Sequence, residues 1–178
     1  MPKFINWVPT RPECINAFFE LAPLSSSDIV YDLGSGDGRL LFAALEKGAG
    51  KCVGIDIDNE QVADASETAR GKGVEGKVHF VHGDVTETDL SSASVVFCYL
   101  YPSASYALRK KLEEELKPGT RVIMESFPVP GWKPDKINEI QGGKLYLYMM
   151  PIKKTEDYDD AINNLDFVPY YEYPDEDV

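Results

Sequence analysis

The spacing of apolar residues changes period along this chain, and the changes mark out its elements. PECINAFFELAPL (12–24) sets Ile15, Phe18, Phe19 and Leu21 at helical spacing and ends at Pro23, so it predicts a short opening helix. The compact apolar run DIVYDLG (28–34) predicts a buried strand, and DGRLLFAALEKGAG (37–50) a helix that exits through glycine. KCVGIDI (51–57) is a second strand. NEQVADASETARGKG (59–73) is a second long helix, capped by Asp58 or Asn59 and stopped at Gly71 or Gly73. GKVHFVHGD (76–84) and ASVVFCYLY (93–101) are further strands, SASYALRKKLEEELKPG (103–119) is a charged helix, and TRVIMESF (120–127) is a fifth strand.

Strands alternating with helices of about a dozen residues indicate a parallel, doubly wound sheet. INEIQGGKLYLYMM (137–150) then joins two β-rich runs through Gly142-Gly143, a hairpin signal. The expected fold class is α/β: a Rossmann-like, doubly wound parallel sheet that ends in an antiparallel hairpin.

Composition narrows the setting. A chain of 178 residues with 43% hydrophobic and 27% charged residues fits one soluble globular domain. It contains no apolar run of membrane-spanning length, and MPKFINWVPTRP lacks the apolar segment of a signal peptide, so a cytoplasmic location is expected. Cys14, Cys52 and Cys98 have no metal-binding or disulfide spacing and read as reduced buried thiols. His79 and His82 read as strand packing. The net charge of −12 is uneven: from Ile152 onward nine acids face only Lys153 and Lys154, a local −7. An acidic body repels nucleic-acid phosphates and favours basic protein partners. Residues 1–151 are expected to form the domain, and 152–178 an acidic extension, partly ordered because LDFVPYYEYP is rich in aromatics.

The chemistry gathers at strand ends. In an open parallel sheet ligands sit at the carboxyl ends of strands, at the switch point. Asp32, the loop Gly34–Gly38, Asp56 and Asp84 all fall there. The glycine spacing is GxGxG, one residue short of the GxGxxG fingerprint for a dinucleotide pyrophosphate. Asp32 just before the loop suits a cationic group and disfavours a phosphate. S-adenosylmethionine carries an ammonium, a carboxylate, a sulfonium and a ribose diol but no phosphate. On this reading backbone N–H groups of the loop and helix start serve the carboxylate. Asp56 accepts from the ribose hydroxyls and Asp84 from the adenine amino group. Asp32 and Asp84 could instead cap a helix or turn. Asp58, beyond the strand end, fits an N-cap better than a ribose ligand.

At these residues a resemblance emerges. DLGSGDGR, GIDID and HGD resemble motifs I, post-I and II of class I S-adenosylmethionine-dependent methyltransferases, in which a terminal hairpin is also typical. Over roughly residues 7–150, WVPT, YLYP, LKPGTRVI, GWKPDK and LYLY resemble a narrower group of protein lysine methyltransferases. That group comprises broad-specificity archaeal enzymes and mitochondrial relatives acting on the adenine nucleotide translocator and the ATP synthase c-subunit. The resemblance implies cofactor contacts from Pro9, Thr10, Asp32, Gly34, Ser35, Gly36, Asp56, Ile57, Asp84, Val85 and Tyr99. It implies that Tyr99, Leu100 and Tyr101 form the lip of the substrate channel, with Tyr99 and Tyr101 serving catalysis. The chain departs from the group's pattern at Cys98-Tyr99, where apolar residues usually precede the tyrosine, and in the acidic extension.

An acceptor lysine, with a free pKa near ~10.4, must lose a proton before it can attack. A dry aromatic channel of Tyr99, Tyr101 and Trp7 would lower that pKa and still attract the cation, although the same rings could serve packing alone. Arg39 reads as a solvated side chain. Glu125, ending the fifth strand at the same sheet edge, is placed to orient a substrate ammonium. Protein lysines are therefore the expected acceptor, and nucleic acid is not. A small-molecule methyltransferase and a non-catalytic cofactor-binding module are the alternatives.

Overall fold

The computed structural model describes residues 9–163. The expectations for Trp7 and for the aromatic stretch 165–174 lie outside the described residues. The elements run α1 (Pro12–Leu21), β1 (Ile29–Leu33), α2 (Arg39–Glu46), β2 (Lys51–Asp56), α3 (Asn59–Gly71), β3 (Val78–His82) and β4 (Val95–Cys98). They continue with α4 (Pro102–Glu115), β5 (Arg121–Glu125), β6 (Trp132–Lys133), β7 (Lys136–Ile140), β8 (Gly143–Met149), β9 (Lys153–Lys154) and α5 (Tyr158–Asn163). The main sheet has the order β3-β2-β1-β4-β5-β8-β7. Its first five strands are parallel, and β8 and β7 are antiparallel additions. The chain winds outward from β1 through β2 to β3, then returns to β4 on the other side of β1. That reversal opens a crevice at the carboxyl ends of β1 and β4.

The central strands are buried on both faces, which explains their near-continuous apolar runs. Val30, Cys52, Val95, Phe97 and Ile123 face α1 and α2 on one side, where Phe18 and Phe97 meet edge to face at 5.2 Å. Tyr31, Leu33, Val53, Val96, Cys98 and Met124 face Leu108, Leu112 and Leu116 of α4 on the other. Among the described residues no helix links β3 to β4 or β5 to β6. Instead Leu90 from the first connection, Val129 from the second and Trp132 at the start of β6 fill the α4 side. Glu113 of α4 accepts from Trp132 Nε1 at 2.7 Å and from the Tyr158 hydroxyl at 2.6 Å, fastening this segment and the start of α5 to the helix.

Three expectations change. The fourth strand ends at Cys98 rather than Tyr101, because the chain must leave the ladder to enter α4, which begins at Pro102. The hairpin turns through Gln141-Gly142, with Gly142 at φ +81° and Gly143 already paired with Ile140 in β8. His79 and His82 are exposed on the edge strand β3 and do not serve packing; His82 Nε2 lies 3.1 Å from the Ile57 carbonyl. All three cysteines are unpaired and buried, as expected.

Candidate functional site

The loop after β1 is held by glycine geometry and by β2. Gly34, Gly36 and Gly38 all have positive φ (87°, 49° and 76°), which other residues adopt only with strain. The N–H groups of Gly34 and Ser35 both donate to the Ile55 carbonyl (2.8 and 3.1 Å), and Gly36 donates to Asp56 Oδ2 at 2.7 Å. At two of the three an added side chain would crowd its neighbours. A Cβ at Gly34 would lie 2.9 Å from Leu100 Cδ2, and one at Gly38 would lie 2.4 Å from the Phe80 ring. Gly38 is also the N-cap of α2, so the third glycine sits where the helix packs against β3. The Ser35 hydroxyl is buried without a partner over Gly54, whose missing Cβ would meet it at 2.6 Å. Ser35 therefore presents its backbone, not its side chain, to the crevice side of the loop.

These bonds limit which amides of the loop are open to a ligand. The amides of Gly34, Ser35, Gly36, Gly38 and Arg39 all have acceptors within the protein, the last two being the Ser35 carbonyl and Asp37 Oδ1. They are not open donors for a ligand carboxylate. Arg39 is not merely solvated either. Asp37 pairs with its guanidinium at 2.7 Å, and Arg39 Nη1 reaches back to the Thr10 carbonyl at 3.5 Å. This link draws the Pro9-Thr10 segment to the start of α2, beside the glycine loop.

The acidic residues occupy different environments. Asp32 is 5% exposed on β1, and burial, then Asp56, Glu125 and Asp37, push its carboxyl up to about 8. Its electrostatic neighbours are other acids, so the pocket favours a cation there. Asp56 is buried at the end of β2, where its two oxygens accept from Gly36 N and from Asp58 N (2.9 Å). Lone pairs remain on both oxygens for further donors. Ile57 beside it is 73% exposed, an apolar side chain left open at the crevice rim. Asp58 is the N-cap of α3, accepting from Glu60 N and Gln61 N. Asp84 is exposed beyond β3, and Oδ1 accepts from the Thr86 hydroxyl and N–H. Those two bonds hold its carboxyl below the ordinary range. The neighbouring Val85 packs against the α4-side core.

Beyond β4, Tyr99 packs against the α1-side core, while Leu100 turns to the α4 side beneath Gly34. Burial, then the Glu125 carboxylate, raise the Tyr99 phenol, and Tyr101 lies near enough to add to the effect. A cluster around Glu125, whose partners the sequence did not expose, completes this corner. Glu125 is 2% exposed, and Cys14 Sγ donates to its Oε1 at 2.9 Å. Arg11 Nη1 donates to the Gln141 carbonyl at 2.8 Å, and Nη2 lies 3.6 Å from Cys14 Sγ. The sequence signal was faint: Cys14 lies four residues after Thr10, on the buried face of α1.

The donor set fits S-adenosylmethionine on the protein's own terms. Asp32 and Asp56, which form no ion pair among the described residues, suit an ammonium, a sulfonium and a diol, and Ile57 offers an apolar face to a base. The described residues contain no helix long and apolar enough to cross a membrane and no cluster suited to a metal ion.

Comparisons with known proteins agree with this arrangement. Residues 32–136 match the family described as the ANTKMT methyltransferase domain. A protein-lysine N-methyltransferase of Saccharolobus islandicus is 38% identical over 151 residues, covering 82% of this chain and 94% of that relative. A human lysine N-methyltransferase named for the ATP synthase c-subunit is 38% identical over 75% of this chain, which spans only 56% of that protein. A Salinibacter ruber structure, described as an RNA methyltransferase in complex with S-adenosyl-L-homocysteine, superposes with TM-score 0.80 at 39% identity, covering 85% of this chain and 99% of that one.

Proposed function

The chain belongs to the ANTKMT methyltransferase-domain family of S-adenosylmethionine-dependent methyltransferases, and from that membership we propose that it methylates lysine side chains of proteins. When bound, the cofactor supplies an electrophilic methyl carbon on a sulfonium. The chain's residues bind and orient around it. Asp32 complements the cationic methionine end, lined by Pro9 and Thr10, and Arg39 is the nearby cation for its carboxylate. Gly34, Ser35 and Gly36 let the backbone approach closely. Asp56 receives the ribose hydroxyls through its remaining lone pairs. Ile57 and Val85 flank the adenine, and Asp84 accepts from its amino group. Tyr99 and Tyr101 line the acceptor's entry, where aromatic faces attract an ammonium while excluding water. Holding the amine in line with the methyl group supplies much of the rate enhancement.

One observation carries the choice of acceptor: the carboxyls of Asp32, Asp56 and Glu125 are all buried at one edge of the sheet, near enough for Asp56 and Glu125 to act on Asp32. An approaching ammonium relieves that repulsion, whereas a phosphodiester adds to it. The net charge of −12 acts in the same direction at long range. The archaeal relative, matched over 94% of its length, is named for lysine methylation. RNA is the second reading, favoured by the name of the Salinibacter structure and its 39% identity. Methyl-tritiated cofactor should be supplied with a mixture of basic proteins and, separately, with total RNA. The lysine reading predicts label in the protein fraction; label confined to RNA overturns it.

A further inference from the structure

We propose that the unpartnered carboxylate oxygen of Glu125, framed by Cys14, Arg11 and Tyr99, seats the acceptor's ammonium group and takes its proton before methyl transfer. The proposal rests on the lysine reading above. Its ground is placement. Leu33 of β1 pairs with Cys98 of β4, and Cys98 with Met124 of β5, so Tyr99 and Glu125 leave the sheet side by side, level with Gly34. Side chains alternate across a strand, which directs Tyr99 and Glu125 to the same face as Asp32, under the start of α1. Glu125 Oε1 is committed to Cys14, while Oε2 is buried with no hydrogen-bond partner among the described residues. A carboxylate oxygen withdrawn from water without a donor is costly, and in this protein it lies at the sheet edge where the acceptor must arrive.

The surroundings leave that oxygen to a visitor. Arg11 is the nearest cation, yet its guanidinium bonds to the Gln141 carbonyl and approaches Cys14 Sγ. The hairpin turn is shaped around it: a Cβ at Gly142 would lie 2.6 Å from Arg11 Nη1. Burial and the Glu125 carboxylate push the Cys14 thiol up to about 11, so it remains a donor and fixes Oε1. The groups facing Glu125 are thus Cys14 and Arg11 from α1 and its N-cap, Tyr99 from β4 and Asp32 from β1; β8 contributes Leu145 opposite it and no charge at that position.

The proton transfer follows from the same burial. Desolvation raises the proton affinity of Glu125 and lowers that of an ammonium in the same site, so a dry pair shifts toward neutral acid and neutral amine. The ammonium gives one proton to Oε2. The amine nitrogen then bonds to the methyl carbon while the carbon–sulfur bond breaks with its pair on sulfur. The methylammonium product keeps its two remaining protons, and Glu125 returns its proton to water.

Glu125→Gln tests this, because it keeps the acceptor for Cys14 and removes only the charge and basicity. Calorimetry should show S-adenosylhomocysteine affinity within about twofold of wild type. An NMR titration of the S-adenosylhomocysteine complex with n-butylammonium should show saturable binding in wild type and roughly tenfold weaker binding in the variant. Lysine methylation by the variant should lose about 100-fold in kcat. Its rate should climb with pH toward that of the free amine. Wild-type protein that fails to bind n-butylammonium, or a variant with unchanged amine affinity, kcat and pH profile, overturns the seat. Amine binding that depends on Glu125 without any lysine labelling leaves the seat standing and overturns the lysine acceptor.

Discussion

Asp32, in its proposed binding role, illustrates how a single residue can act at the expense of stability. The ordinary aspartate value is near ~3.9, and burial, then Asp56, Glu125 and Asp37, push Asp32 to about 8. Below about pH 4 it is protonated in both folded and unfolded chains. Between there and about 8 only the folded chain holds the proton, so stability without cofactor falls as pH rises through that window. Asp32→Asn should remove this slope and gain roughly 1–3 kcal/mol at pH 8 while weakening cofactor binding, as thermal melts at pH 5 and pH 8 with and without S-adenosylhomocysteine would show. Parallel pH profiles for variant and wild type would refute it. Asp56 has two duties, because its oxygens brace Gly36 and Asp58 as well as facing the crevice. Asp56→Ala should therefore lower thermal stability by about 1–3 kcal/mol and reduce cofactor affinity at least about tenfold by calorimetry. Positions set by local chemistry were legible in the sequence, as with Asp58, whose side chain caps α3. The Cys14–Glu125 bond was not, because it joins residues 111 apart that only tertiary packing brings together.

At the scale of elements, local periodicity located the five parallel strands and the terminal hairpin. It did not reveal what replaces helices in two of the crossovers. Leu90 and Val129 are single apolar anchors in irregular chain and Trp132 stands in a two-residue strand, so none belongs to a run long enough to show a period. Glu113 was equally hidden, since on sequence it is one acid in the charged run KKLEEE. In the fold it receives both the Trp132 indole N–H and the Tyr158 hydroxyl. Glu113→Ala strands two partly buried donors and should destabilise the protein by about 2–4 kcal/mol in denaturant titrations. Because Glu113 lies on the α4 side, away from Asp32 and Asp56, cofactor affinity should stay within about twofold. A large loss of affinity with unchanged stability would contradict this division of labour. Past the end of β4 the chain still alternates, Tyr99 packing on the α1 side of the sheet and Leu100 on the α4 side beneath Gly34.

For the molecule as a whole, fold and charge act together. The reversal of strand order between β1 and β4 opens the crevice, and acidic residues lie at its rim and across the surface, a charge that under the proposed function favours cationic partners. The chain spans nearly the full length of its archaeal relative but only about half of the human one, and the family match over residues 32–136 includes the carboxyl ends of the five parallel strands. At that edge the proposed acceptor is a lysine nitrogen. The direct test is to methylate a mixture of basic proteins with labelled cofactor, hydrolyse the products to amino acids and chromatograph them. Label co-eluting with Nε-methylated lysines is the expected result. Label in other amino acids, or only in nucleosides from added RNA, would contradict it.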